Sequence, residues 1–241
     1  MASSARRDDH NARQKAYFEA SVKPNMVPVG SPYLERHVTE SLRFAGLGCE
    51  DRVLEVGCGM GRYTLLLAPR VRVEGLDLSQ VLLDRLRGYD GGRQRIPLHC
   101  ADLADPPADL VGRFDAVLGF FTLHHVHDLA RCFEGAMRLL RPGGRVAFLE
   151  PNAFNPLFYV QILLTPGMTW EGDGGIIRMR RGPIFDAMRK AGLERLALHR
   201  FGFFPPFLAN RPWGRRVEAR LERFPLWRAL LPFQIVIGYR G

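Results

Sequence analysis

Three features of the 241-residue sequence predict an α/β fold built on a wound, mainly parallel sheet. Short apolar segments rich in β-branched residues alternate with helical-period segments over residues 52–150, the pattern of strands joined by crossover helices. The first such strand, Val53-Leu54-Glu55-Val56, runs into Gly57-Cys58-Gly59-Met60-Gly61 and then a helical run from Tyr63 to Ala68. The next two segments each end on an acid, Asp77 and Asp102. In wound sheets ligands bind beyond the carboxyl ends of the strands, and Gly57, Asp77, Asp102 and Phe120 all fall there.

In chain order, residues 1–14 are polar and charged and are expected to fray, with a short helix from Ala16 to Val22 stopped near Pro24. Ser31 as cap and Pro32 at the first position open a helix. Its core face is Leu34, Val38, Leu42 and Ala45, and Gly46 ends it. The alternating core then places strands near 52–57, 72–77, 95–99, 114–120 and 144–150, and helices near 60–68, 79–87 and 129–140. After Glu150 come a turn cluster, Pro151 to Pro156, an apolar run, Leu157 to Leu164, and a polar glycine-rich stretch, Thr169 to Gly175. A helix follows from Pro183 to Ala191, with strands at Leu193–Phe201 and Phe233–Tyr239. The stretch between them, Phe203 to Pro232, is too long for a plain hairpin loop and should carry its own structure. There Trp213, Val217, Leu221 and Phe224 share one helical face, while Arg215, Arg216, Arg220 and Arg223 occupy much of the rest. Two arrangements follow: the apolar face packs on the domain with arginines in water, or a basic amphipathic element rests on a membrane or walls a pocket.

The net charge of +9 is uneven: residues 1–150 carry +1 and residues 151–241 carry +8, nearly all of it arginine. Arginine grips phosphate and carboxylate well, so the excess is either a solvated face or a surface for an anionic acceptor, an anionic lipid surface or nucleic acid. The four cysteines are scattered without a CxxC pair, as reduced thiols are. Residues 1–13 lack the apolar core of a secretory signal, and no apolar run approaches the ~18 residues of a membrane span. The expected location is cytoplasmic, with peripheral contact at an anionic membrane surface left open; no obligate protein partner is evident.

The glycine turn is not the dinucleotide fingerprint. Its spacing is G-x-G-x-G rather than G-x-G-x-x-G, with Glu55 two residues before the first glycine. Glycine suits the turn because a side chain would bar a ligand from the backbone, and amides at a helix start favour polar or anionic groups. Read with its neighbours, the chain resembles the class I S-adenosylmethionine (SAM)-dependent methyltransferases, nearest to the branch that includes the quinone-biosynthesis enzymes. The residues that carry the resemblance are Leu54-Glu-Val-Gly-Cys-Gly-Met-Gly61, Gly75-Leu-Asp-Leu-Ser79, Ala101-Asp-Leu103, Phe114-Asp-Ala-Val117, Leu123-His-His-Val126 and Leu140-Arg-Pro-Gly-Gly144. They cover roughly residues 50–150 in the expected order; no family motif is evident outside them.

The resemblance implies a Rossmann-like doubly wound sheet, mostly parallel, with a terminal hairpin whose last strand is antiparallel. Residues 1–30 become an N-terminal arm that closes over the cofactor, with Tyr17 in it, or that simply packs on the core. Residues 31–241 become the methyltransferase domain, with acceptor-side insertions at about 151–182 and 203–232. The cofactor is SAM, converted to S-adenosylhomocysteine. Gly57, Cys58, Gly59 and Gly61 would lie against its amino-acid part, with Glu55 orienting the loop or the ligand. Asp77, with Leu78, would take the ribose hydroxyls; Asp102 the adenine amino group, with Leu103 beside the ring; and Phe120 would lie near the methionine moiety.

The acceptor's proton needs a destination. His124 and His125 follow the fourth strand and are candidates for the base, as is Glu171 in the polar stretch; a structural role for the histidines stays open. His124, His125, His127 and Asp128 also invite a metal reading, but adjacent histidines point different ways and no further ligand cluster accompanies them, so no metal is expected. Asp105-Pro-Pro-Ala108 is not the D-P-P-Y amine-methylating motif, and no target-recognition region is evident, which argues against nucleic acid. The Phe, Trp, Pro and Arg of the last third suit a small acceptor, apolar or anionic: a quinone precursor, a prenyl diphosphate, a lipid or a natural-product intermediate. A SAM-binding protein that performs another reaction or regulates would keep the same cofactor residues. A nicotinamide oxidoreductase would share the sheet but not the glycine spacing.

Overall fold

The computed structural model describes the backbone of residues 2–20, 22, 26–164, 170 and 174–241 and, within these, all side chains but those of 2–8, 161, 164 and 174. Five strands run parallel: β1 (Arg52–Val56), β2 (Arg72–Asp77), β3 (Leu98–Cys100), β4 (Phe114–Phe120) and β5 (Leu140–Pro151). They continue into a hairpin of β6 (Leu193–Phe201) and β7 (Phe233–Arg240). The order across the single sheet is β3-β2-β1-β4-β5-β7-β6, and β7 lies antiparallel to both its neighbours. The chain thus winds outward from β1 in both directions, as the alternation predicts.

The pleat sorts the core. Leu54 and Val56 of β1 face one layer and Val53 the other. On the Val53 side lies α2 (Pro32–Ala45), capped by the Ser31 hydroxyl, which accepts from the Leu34 amide, and closed by Gly46 at φ +64°. On the other side α5 (Leu129–Leu139) and α7 (Arg181–Lys190) bury Phe133, Ala136, Ile184 and Met188. Between α2 and α5 come α3 (Thr64–Leu67) and α4 (Gln80–Asp90); α6 (Pro156–Leu164) follows β5. All seven residues of β4 are buried, as befits the strand at the centre of the sheet.

One expectation needs correcting. The N-terminus does not fray before residue 16: α1 spans Ala2–Glu19. Ion pairs one turn apart, Asp9–Arg13 at 3.0 Å and Lys15–Glu19 at 4.0 Å, and polar contacts to the strand ends support it. Pro24 lies outside the described residues. The long segment before β7 carries its own structure, α8 (Pro206–Ala209), α9 (Pro212–Leu221) and a 3₁₀ turn at Pro225–Trp227, and of the two arrangements open for α9 the one with its apolar face packed on the domain does not hold. The helix buries Gly214 and Glu218 and leaves Trp213 54% exposed. Gly214 sits where a Cβ would run into the Leu208 carbonyl. The Glu218 carboxylate accepts from the Phe203 and Phe204 amides at 2.7 and 2.8 Å and pairs with Arg36 of α2. Glu222 accepts from the Gly202 amide at 2.7 Å and pairs with the same guanidinium at 2.6 Å.

A buried carboxylate removed from such a set strands its partners. Glu218→Ala is expected to cost about 3 kcal/mol, lowering the midpoint in a thermal melt by roughly 6–12 °C. A shift under about 1 kcal/mol would mean that Arg36 and the two amides find water instead.

Candidate active site

β1 ends in a turn that only glycine makes cheaply. Gly57, Gly59 and Gly61 hold φ of +66°, +51° and +90°. A Cβ on Gly57 would stand 2.6 Å from the Thr122 methyl, so the β1 and β4 loops close on each other. A Cβ on Gly59 would meet nothing within 4 Å, so the backbone there borders open space.

Asp77 ends β2 beside that turn. One carboxylate oxygen accepts from the Gly59 amide at 2.8 Å and the other from the Ser79 amide at 2.9 Å. The surrounding protein raises its pKa by desolvation, while the Ser79, Gly59 and Leu78 amides pull the other way. A carboxylate has about four acceptor positions, so capacity remains on both oxygens. Leu78, half-buried, follows it. Two residues before the turn, Glu55 is 2% exposed, and burial pushes its carboxyl up to about 8. Its Oε2 is buried, and the Thr64 hydroxyl beside the carboxyl opposes the upward shift without cancelling it.

Asp102 lies past the end of β3. Its Oδ1 accepts from the Ala104 amide at 2.8 Å and its Oδ2 from the Asn11 side chain of α1 at 2.9 Å. His10 Nε2–H donates to the His125 carbonyl at 2.7 Å, Phe18 packs edge-on against the His125 ring at 5.0 Å, and Ser79 donates to Glu19. Thus α1 lies across the ends of β2, β3 and β4, with Tyr17 against Phe18 at 5.1 Å.

The two histidines part company. His124 is 6% exposed, and its Nδ1–H donates to Glu150 Oε2 at 2.7 Å. The other oxygen of Glu150, at the end of β5, accepts from the Thr122 and Leu123 amides at 2.7 and 2.6 Å. One buried carboxylate therefore fixes the whole loop after β4. His125 is half-buried, under α1.

Of the residues singled out in the sequence, the fold brings Gly57, Gly59, Gly61, Asp77, Leu78, Asp102, His125 and Tyr17 to one edge. The side chains of three others turn away from it. The Cys58 thiol packs against Leu83 and Leu86, facing Gly75, rather than toward the turn's open side. Leu103 joins the layer under α5, and Phe120 stacks on Tyr63 at 4.4 Å. These side chains shape the floor, and Cys58 offers the edge only its backbone. Glu171 lies outside the described residues. Glu150 and Asn11 went unnoticed in the sequence. Glu150 had a signal, since it ends a strand as Asp77 does; Asn11 had none. Among the described residues no group of three or more His, Cys, Asp or Glu side chains is placed to hold a metal ion.

Residues 54–148 match the profile of the methyltransferase domain family. A ubiquinone biosynthesis O-methyltransferase of Aromatoleum aromaticum is 38% identical over 113 residues, 46% of this chain and 47% of that protein. A malonyl-[acyl-carrier protein] O-methyltransferase of Legionella pneumophila is 32% identical over 111 residues, 44% of this chain and 39% of that one. The matched stretch spans less than half the length of either relative. In fold, a SAM-dependent methyltransferase from Archaeoglobus fulgidus aligns over 88% of this chain and 95% of its own, with a TM-score of 0.61 at 14% identity. Residues 54–148 are thus similar to the methyltransferase domain family and, in sequence, to a quinone-biosynthesis O-methyltransferase, on a sheet wound as in a solved SAM-dependent methyltransferase.

Proposed function

We propose that the chain transfers a methyl group from SAM to a small acceptor with an apolar body and a polar or anionic end. The observation that carries this is the edge itself: open backbone at Gly59 beside Asp77, with the buried carboxyl of Glu55 two residues before the turn. These residues fit the cofactor's chemistry. Asp77 keeps acceptor capacity for the two ribose hydroxyls. Asp102 would take the adenine amino group, sharing its carboxylate with Asn11 of α1. The turn amides and Glu55 suit a zwitterionic amino acid, whose ammonium group would pair with the Glu55 carboxyl. SAM supplies an already activated methyl, so the chain's own work is to bind, orient and keep the site dry. In this reading α1 is the lid that excludes water.

Glu150 makes His124 a positioning residue: their bond and the two loop amides hold Thr122 to His125 in place. Of the two imidazoles, His125 is the better placed to receive the acceptor's proton. Topology supports this acceptor class. Pro151, Phe201 and Phe233 stand side by side in the sheet, so the segments after β5 and before β7 both leave at the site's edge. Those segments carry the aromatic and arginine residues that suit an amphiphile.

Three measurements test this. In calorimetry, wild type binds SAM and Asp77→Ala binds about 10- to 100-fold more weakly, the loss of hydrogen bonds to a charged group; equal affinity sinks the assignment. For Glu55, the folded carboxyl keeps its proton to about pH 8, against an ordinary value of 4.5. The native state thus binds the extra proton in that window, and stability falls as pH rises through it. The contribution of Glu55 to the melting temperature of the free protein should fall from about pH 5 to pH 8 and level off above it, and Glu55→Gln should flatten that fall. An unchanged slope would show that Glu55 is ionised in the fold. Finally, His125→Ala should lower turnover about 100-fold at unchanged SAM affinity, whereas His124→Ala should lower the melting temperature as well. Full turnover in His125→Ala removes it as the base.

A further inference from the structure

The inverted face of α9 has a chemical meaning. Of the eighteen exposed large apolar side chains among the described residues, thirteen lie in residues 151–182 and 203–232. Leu226 is 81% exposed, Leu163 68% and Leu157 63%. Monomer surfaces do not gather so much apolar area without a use for it. The two segments are also one surface. The Asn152 amide donates to the carbonyls of Ala229 and Leu231, each at 2.8 Å, and that of Asn155 to the Leu230 carbonyl at 2.6 Å. These bonds tie the start of α6 to the strip that follows α9. The outer side of α6 shows Leu157, Val160 and Leu163, one helical stripe.

Charge names the occupant. Arg211, Arg215, Arg216, Arg220, Arg223 and Arg228 are all exposed on the same segment. Its two acids, Glu218 and Glu222, are turned inward onto Arg36 and the Gly202–Phe204 amides. Among the described residues none of the six arginines has a carboxylate within ion-pair distance. The face is therefore apolar, aromatic and cationic, with its own counter-charges withdrawn. A second copy docked symmetrically would bring two cation-only faces together. Tryptophan and arginine beside exposed leucines instead match the boundary of an anionic bilayer, where rings sit at headgroup depth and guanidinium groups meet phosphate.

We propose that residues 151–163 and 203–230 form one docking surface for an anionic lipid bilayer, with Leu157, Leu226 and Trp227 entering the interface and the α9 arginines on the headgroups. Because both segments leave the sheet at the carboxyl edge, docking sets the candidate active site against the membrane. No helix among the described residues is long and apolar enough to span it, so the contact is peripheral. The surface stands independently of methyl transfer.

The test is co-sedimentation with vesicles of phosphatidylcholine mixed with phosphatidylglycerol, and with vesicles of phosphatidylcholine alone. The full chain should pellet with the mixed vesicles, weakly with the neutral ones, and less as salt rises. Arg216→Gln with Arg220→Gln should weaken partitioning roughly 25-fold, at about fivefold per arginine near the surface. Leu226→Ser with Trp227→Ser should weaken it on mixed vesicles while the melting temperature stays at the wild-type value, which shows that the variant folds. The proposal is overturned if wild type stays in the supernatant with both vesicles, if both double variants bind as wild type does, or if sedimentation equilibrium gives a dimer that Leu226→Ser with Trp227→Ser dissolves. SAM titration of the same samples reports separately on the cofactor site, so failure here and failure there are distinct results.

Discussion

The bend at Gly57–Gly61 is the constraint on which the rest of this molecule depends. All three glycines occupy the left-handed region, and Gly57 lies so close to Thr122 that any side chain would push the β4 loop away. The bend therefore couples two strand ends. It brings the Gly59 amide onto Asp77, which fixes the mouth of β2, and it meets the loop that Glu150 anchors from β5. Four strand ends are set by one short stretch of backbone that cannot carry side chains at its left-handed positions. Reducing conformational freedom here costs entropy, and the buried alternation of β1 and β4 on both layers is what offsets it.

Three buried glutamates show how the edge differs from the rest of the core. Glu150 is fully satisfied, by two amides and an imidazole. Glu218 is satisfied by two amides and a guanidinium. Both lock loops, and a buried acid with its hydrogen bonds made is a rigid tether. Glu55 is as buried as either, yet it has no amide or guanidinium partner, only the Thr64 hydroxyl nearby, and the carboxyl is pushed toward its neutral form. A buried acid short of partners is costly. This one lies two residues before the glycine turn, with Thr64 and Asp77 as its electrostatic neighbours.

Much of this architecture was legible in the sequence because its signals are local. Ser31, Pro32 and Gly46 bound α2 where the capping rules put it, and β4 and β6 begin and end on the expected residues. The glycine spacing and the acids at 77 and 102 located the edge. What failed had distant causes. Phe120 belongs to the right strand end, but the pleat turns its ring onto Tyr63, and Cys58 in the turn faces Gly75. Residues 1–14 read as solvent-loving because their partners, Asp102 and the His125 carbonyl, lie more than ninety residues away. The α9 periodicity identified an amphipathic helix and left its inner face open. Periodicity assumes that apolar goes inward, and no local pattern reveals that Arg36 waits 182 residues from Glu218.

That reversal connects the fold to the site. A helix that buries Gly214 for close approach and Glu218 for an ion pair is held by polar contacts to α2, not by its apolar stripe. Trp213 is thereby left at the surface, 54% exposed. In α6, Ile162 and Phe158 pack inward, asparagine amides at its start join it to the neighbouring strip, and Leu157 and Leu163 face out. The α9 arrangement, polar anchors inside and apolar groups outside, is the opposite of how a soluble helix is normally stabilised. It makes physical sense only if burial of the outer face happens against something else. Because both elements grow from the carboxyl edge, their exposed apolar groups and the glycine turn share one side of the sheet.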